Sequence, residues 1–151
     1  SMMMVMLRNA DALKIACQAL IANISSCIMT ERGGDSWLQT TYYPFYYISN
    51  ETKGGVTLQT AEEGQKGPDI DHALVNREEK EKASVFLQLE DFSGIRAADS
   101  VVLTASDPRT TNRENHQAVI PVKADNCTAT EDGIRVELPP LSFDVLRITT
   151  G

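Results

Sequence analysis

Three features of this sequence predict a mainly β fold, an antiparallel, jelly-roll-like β-sandwich preceded by one long N-terminal α-helix. From Trp37 onward, short runs rich in β-branched and aromatic residues alternate with Gly-, Pro- and Asp-bearing turns roughly every ten residues, the rhythm of a sandwich. Residues Ala83 to Phe92 place Val85, Leu87 and Leu89 on one face and Phe86, Gln88 and Glu90 on the other, the period of a half-buried strand. Before these, Leu13, Ala16, Cys17, Leu20, Ile21, Ile24 and Ile28 recur at helical spacing. The 151 residues then divide into a helical part, 1–29, and a sandwich domain, 30–151.

The helix is expected from about Asn9 to Ile28, with Asn9 or Asp11 available as its cap. Its other face carries Ile15, Ala19 and Ala22, and only Asp11 and Lys14 are charged between positions 10 and 30. A helix apolar nearly all round needs cover on several sides, so either a packing partner lies elsewhere or the helix pairs with a copy of itself. The opening Ser1-Met2-Met3-Met4-Val5-Met6-Leu7 is apolar but too short for a signal peptide and lacks its charged start and cleavage site, and Ser1 before a methionine reads as a tag remnant.

A polar break from Thr30 to Ser36 leads into Trp37 to Ile48, a stretch whose aromatic density predicts strand. Val56 to Thr60 follows the Gly54-Gly55 turn, and Ala73-Leu74-Val75 follows Gly64, Gly67 and Pro68. The charged run Arg77 to Lys82 reads as an exposed hairpin turn. Val101 to Thr104 and Ala118 to Ile120 are expected strands on either side of a polar excursion, Ser106 to Gln117. The turn Glu131-Asp132-Gly133 introduces Ile134 to Leu138, and Pro139-Pro140 separates it from a last strand, Leu141 to Ile148.

Composition excludes more than it selects. The net charge of −7, from 21 acidic against 14 basic side chains with no basic block, argues against nucleic-acid and anionic-membrane partners and is compatible with a neutral substrate such as a sugar. No run approaches the length of a transmembrane helix. Cys17, Cys27 and Cys127 are odd in number and lack CxxC spacing, which predicts reduced, buried thiols in a cytoplasm. Three glycosylation sequons carry no weight, since such triplets recur by chance. His72 and His116 have no ligand-spaced partners, so no metal is expected. Phosphate-loop, dinucleotide and nucleophile-elbow motifs are absent, so neither a cofactor nor a serine hydrolase is expected.

Three stretches carry a family likeness that together spans nearly the whole chain. Leu7 to Cys17 with its continuation to Ile28 resembles the last helix of the catalytic barrel in α-L-arabinofuranosidases of glycoside hydrolase family 51. Met29-Thr30-Glu31-Arg32-Gly33-Gly34-Asp35-Ser36-Trp37-Leu38-Gln39-Thr40-Thr41-Tyr42-Tyr43-Pro44-Phe45 resembles the passage from that helix into the C-terminal sandwich and is the most specific match. Val136 to Ile148 is similar to the final two strands, with Leu103-Thr104, Thr111-Asn112 and Ile120-Pro121 fitting the loop before them. Between Leu58 and Ala73 the chain is shorter than the family pattern by about a hairpin, which would leave a sheet edge open to another protomer.

The resemblance implies an accessory domain of an enzyme that releases terminal α-L-arabinofuranosyl residues, with a catalytic barrel of the same enzyme as its partner and homo-oligomers formed through the N-terminal helix or the open edge. It also implies that no catalytic residue lies here, because retention needs two carboxyl groups roughly 5 to 5.5 Å apart and the family keeps both on the barrel. Glu31 reads as a solvated turn charge. The resemblance puts Gln39 beside the sugar, where an amide donates and accepts at once. Trp37, two residues earlier, shares its strand face and could stack on a sugar ring, although a single tryptophan more often packs in a core or an interface. The aromatic cluster Tyr42 to Tyr47 reads as sandwich core and cover for the helix rather than as a binding platform. Two rivals stay open: a free-standing carbohydrate-binding module using Trp37 or the tyrosines, and a ligand-free homodimerising module.

Overall fold

The computed structural model describes residues 2–24, 27–51, 69–89 and 95–150. A short helix, α1 (Met2–Arg8), is followed by a small hairpin of β1 (Ile28–Thr30) and β2 (Ser36–Leu38), then a second helix, α2 (Tyr42–Glu51). Seven strands complete the chain: β3 (Asp69–Asn76), β4 (Ala83–Gln88), β5 (Ile95–Thr104), β6 (Val122–Ala124), β7 (Cys127–Ala129), β8 (Gly133–Leu138) and β9 (Ser142–Thr150). They form a four-stranded sheet in the order β3-β9-β5-β6 and a three-stranded sheet in the order β4-β8-β7, antiparallel throughout. The sandwich expected from the strand rhythm is therefore present.

The last strand organises the larger sheet. β9 pairs with β3 from Asp69↔Thr149 to Asn76↔Ser142, and with β5 on its other side to Thr104↔Ser142. Alternation along β9 sends Leu146 and Ile148 between the sheets, where they pack with Ile134, Val136 and Leu138 of β8 and with Leu89. Ile134, Val136, Leu146 and Ile148 are wholly buried, so the two closing strands supply the centre of the core. β4 shows the period-2 pattern in its accessibility, with Val85 and Leu87 turned inward and Phe86 exposed. Gly133 opens β8 where a Cβ would collide with the Leu87 carbonyl, so only glycine fits.

Several expectations are corrected. The long helix over Asn9 to Ile28 does not form: helix is confined to Met2–Arg8, and residues 9–24 run through turns and irregular chain. Leu13, Ile15, Leu20, Ile21 and Ile24 are all exposed, so the stripe that would stabilise a helix has nothing to pack against, and most helical stability comes from such packing. Local chemistry also competes. Asn23 sits in the left-handed region (φ 60°), its backbone N–H donates to the Ile28 carbonyl, and its side chain forms a reciprocal pair with Thr30, all of which bends the chain back on β1.

Trp37 to Ile48 is not one strand. The chain leaves β2 at Leu38 and enters α2, whose first turn tolerates Pro44 because the N–H that proline lacks would have no intrahelical acceptor there. Tyr43 and Tyr47, one helical turn apart, pack with Leu103, Val119 and Phe143, which makes α2 a cover on the outer face of the four-stranded sheet. Glu51 ends this helix with an ion pair to Arg147 of β9.

Residues 77–82 are exposed as expected but do not form a hairpin, since β3 and β4 belong to different sheets. Asn76 governs that crossing by donating to the carbonyls of Glu81, Leu138 and Pro139. Ala118 to Ile120 is irregular, and the strand lies later, at Val122–Ala124. The expected strand Val56 to Thr60 and the shortening before Ala73 lie outside the described residues. Of the three thiols expected to be buried, Cys27 is buried, Cys127 is half-buried and Cys17 is exposed; all are free.

One carboxyl lies in the core. Asp144 is fully buried on the inner face of β9, with Oδ1 accepting from Asn126 Nδ2 at 3.0 Å and Oδ2 without a partner. Burial raises its pKa above the ordinary carboxyl range, against smaller opposing contributions from Ser142 and Asn126. A carboxyl raised on folding contributes stability that is complete below its unfolded value and is lost as pH rises through its folded value. Urea midpoints measured from acid to neutral pH should therefore fall more in the parent than in Asp144→Asn, whose amide still accepts from Asn126. Parallel pH curves for the two proteins would refute this assignment.

Candidate functional site

The residues the sequence singles out, Trp37 and Gln39, lie on and just beyond β2. The β1–β2 turn closes with Gly33 at φ 76°, and Glu31 accepts the Gly34 N–H and donates its own N–H to the Asp35 carbonyl. Trp37 pairs with Met29, and the Gln39 N–H donates to the Cys27 carbonyl at 2.9 Å, which carries the ladder one residue past the strand. Leu38 packs on the cluster of Tyr43, Leu103 and Val119, and alternation sends Trp37 and Gln39 to the other side. Both are half-buried. The side-chain amide of Gln39 takes no hydrogen bond from or to another described residue, whereas its carbonyl receives the Tyr42 N–H that starts α2.

This hairpin is fastened to a distant loop, residues 112–119. Asn112 is 1% exposed; its Nδ2 donates to the Leu38 carbonyl at 3.0 Å and the Val119 carbonyl at 2.8 Å, and its Oδ1 accepts the Val119 N–H at 2.8 Å. The Trp37 indole N–H donates to the Asn112 carbonyl at 3.1 Å, which sets the plane of the ring. Farther along, Glu114 Oε1 accepts the Asp35 N–H at 3.2 Å, and Tyr43 Oη donates to Gln117 Oε1 at 3.0 Å. Burial, then the neighbouring Tyr42 and Tyr47 phenols, push the Tyr43 hydroxyl up, which keeps it a donor.

Trp37 borders an open hollow of about 480 Å³ with Asp35, Ser36, Asn115 and Gln117. Gln39 does not line it. The structure thus keeps Trp37 and Gln39 on neighbouring positions of one strand face without joining them in a single cavity. Nothing in the sequence marks Asn115 or Gln117 as a site residue, because polar side chains in a polar loop carry no periodic signal, and Asn112 has only its place in a loop that fits the family pattern. Glu31 is exposed in its turn, as expected. Tyr42, Tyr43 and Tyr47 pack in the second core cluster, while Tyr46 is exposed and stacked on Tyr42.

Among the described residues no group of three or more His, Cys, Asp or Glu side chains could hold a metal ion, and no helix is long and apolar enough to cross a membrane.

Residues 1–142 match the family model described as the α-L-arabinofuranosidase C-terminal domain. The chain is 30% identical over 168 aligned positions to an intracellular exo-α-(1→5)-L-arabinofuranosidase of Bacillus subtilis (strain 168), covering 98% of this chain and 33% of that protein. It is 31% identical to an exo-α-(1→6)-L-arabinofuranosidase of Bifidobacterium longum, covering 97% of this chain and 33% of that protein. Among solved structures it is similar in fold to AbfB, a family 51 α-L-arabinofuranosidase from Bifidobacterium longum, with a TM-score of 0.77, 22% identity and coverage of 99% of this chain and 33% of that one. The family 51 arabinofuranosidase of Xanthomonas axonopodis pv. citri follows at a TM-score of 0.74 and 21% identity, with 96% of this chain and 33% of that one covered. The chain thus spans about a third of the length of these relatives.

The hydrogen bonds of Asn112 generate a specific expectation. Asn112→Ala should lower stability by about 2–4 kcal/mol in urea unfolding, because each buried group left without a partner costs about 1–3 kcal/mol. The emission of Trp37, the single tryptophan, should shift to the red as its ring loosens. An unchanged midpoint and spectrum would mean that the clamp holds nothing.

Proposed function

The chain belongs to the α-L-arabinofuranosidase C-terminal domain family, and from that premise we propose that it is the accessory third of an enzyme that hydrolyses terminal non-reducing α-L-arabinofuranosides in arabinose-containing polysaccharides and oligosaccharides. The observation that supports the reading is the pair at the end of β2: an anchored indole, Trp37, and two residues on an amide, Gln39, whose side chain bonds to no other described residue. An unengaged amide of this kind can donate to and accept from ring hydroxyls. Its role is to close one edge of a sugar pocket whose remainder lies on a catalytic barrel. On this reading the catalytic pair belongs to the barrel; here Glu31 is solvated in a turn, and Asp144 is sealed between the sheets.

The exposed Leu13, Ile15, Leu20, Ile21 and Ile24 support a docking role for the N-terminal segment. A run of apolar side chains in water is stabilised by cover, and the barrel of the same enzyme is the proposed cover. Without the barrel, the same segment or an exposed sheet edge, such as β3 or β4 at the ends of the described sheets, would join copies of this chain. A reducing, cytoplasmic setting fits the free cysteines and the intracellular naming of several relatives.

Purified chain incubated with a chromogenic α-L-arabinofuranoside should release no chromophore above buffer, and saturable turnover would overturn the accessory reading. Sedimentation should show association of the isolated chain that weakens when Ile21 and Ile24 are both replaced by Asp; a monomer at all concentrations would remove the self-association claim while leaving the barrel contact in place.

A further inference from the structure

The hollow beside Trp37 has a chemistry of its own, separate from Gln39. It is built across two segments far apart in sequence, Asp35 to Trp37 and Asn115 to Gln117, held together by the bond from the Asp35 N–H to Glu114 and by the indole bond to Asn112. Its polar groups are oriented by the protein. Gln117 Oε1 is occupied as acceptor of the Tyr43 hydroxyl, which leaves the Gln117 NH2 as a donor. Asn115 occupies a left-handed position (φ 57°) in a tight turn closed by reciprocal backbone bonds between Arg113 and His116, so its backbone is fixed. The Asp35 backbone N–H is engaged by Glu114, and Asp35 lines the hollow, to which it brings a carboxylate, an acceptor.

An aromatic ring with a carboxylate acceptor, an amide donor, a second amide and a hydroxyl around it matches a polyhydroxylated ring, whose C–H face lies on the indole while its hydroxyls meet the polar groups. The volume suits a small ligand. Asp35, in a chain of net charge −7, makes the site unfavourable for an acidic sugar. The geometry points to a saccharide subsite formed by Asp35, Trp37, Asn115 and Gln117 that takes a neutral sugar unit and rejects uronic acids. This rests on the reading that Trp37 faces carbohydrate, and it adds that this chain recognises a sugar unit with its own residues, apart from the unit that Gln39 meets beside the barrel.

The test is a titration of Trp37 fluorescence in the full chain with neutral arabinotriose and, in parallel, with a galacturonate trisaccharide. The parent should give a saturable change with the neutral sugar and none with the acidic one. Asn115→Gly keeps the left-handed backbone while removing the amide, and it should weaken binding about tenfold, the loss expected for one hydrogen bond of ordinary strength. Asp35→Asn should narrow the difference between the two sugars, and Lys123→Ala, on β6 and outside the hollow, should bind as the parent does. A flat response in folded parent, or equal binding by Asn115→Gly, would overturn the subsite and leave the accessory role standing. Loss of binding in Gln39→Ala alone would overturn it too, by moving the contact to Gln39. Hydrolysis of a chromogenic arabinofuranoside by the chain would instead sink the accessory role, whatever the hollow binds.

Discussion

The placement of every candidate functional side chain depends on Asn112, a wholly buried amide whose donors and acceptor are all engaged by backbone. One side chain joins the β1–β2 hairpin, through Leu38, to the loop that precedes β6, through Val119, and its own carbonyl receives the Trp37 indole. These segments lie more than seventy residues apart in sequence. A buried amide with every group satisfied gives a single geometry, since any other register would leave polar atoms unpaired in the interior. The site therefore inherits its rigidity from a polar contact, although the hairpin is small and its strands are only three residues long.

The sandwich provides the frame on which that contact acts. β9 lies between β3 and β5 and contributes both the inner row, Leu146 and Ile148, and outward residues that meet α2, Phe143 and Arg147. Burial of the inner row against β8 fixes the distance between the sheets, and the outer row fixes α2, whose Tyr43 then reaches Gln117. Core packing and site geometry are thus linked through one strand. The N-terminal segment stands outside this frame, with apolar side chains exposed and ties to β1 through Asn23, which bonds to Ile28 and Thr30. It is the part of the molecule whose conformation is least determined by the sandwich and most open to being set by a partner.

The family assignment and the fold agree: residues 1–142 match a C-terminal domain family, and the chain folds as a β-sandwich. The chain spans about a third of the length of its relatives, buries the Asp144 carboxyl between its sheets and anchors the Trp37 indole two residues before Gln39.

Much of this was legible in the sequence by itself. Period-2 alternation in Ala83 to Gln88, the turn at Glu131 to Gly133 and the Pro139-Pro140 break define strands whose pattern is local, so β4, β8 and β9 fall where expected, and the motif around Trp37 and Gln39 identifies the family. Tertiary structure alone decided the rest. Tyr42 to Ile48 reads as strand by composition but folds as helix, because Tyr43 and Tyr47 find Leu103 and Phe143 when spaced by a helical turn. Leu13 to Ile28 reads as helix by periodicity but does not fold so, because a periodic apolar stripe becomes a helix only against a surface that covers it. Asn112, Asn115 and Gln117 carry no pattern at all, since their roles come from partners distant in sequence that only the folded chain brings within hydrogen-bonding reach.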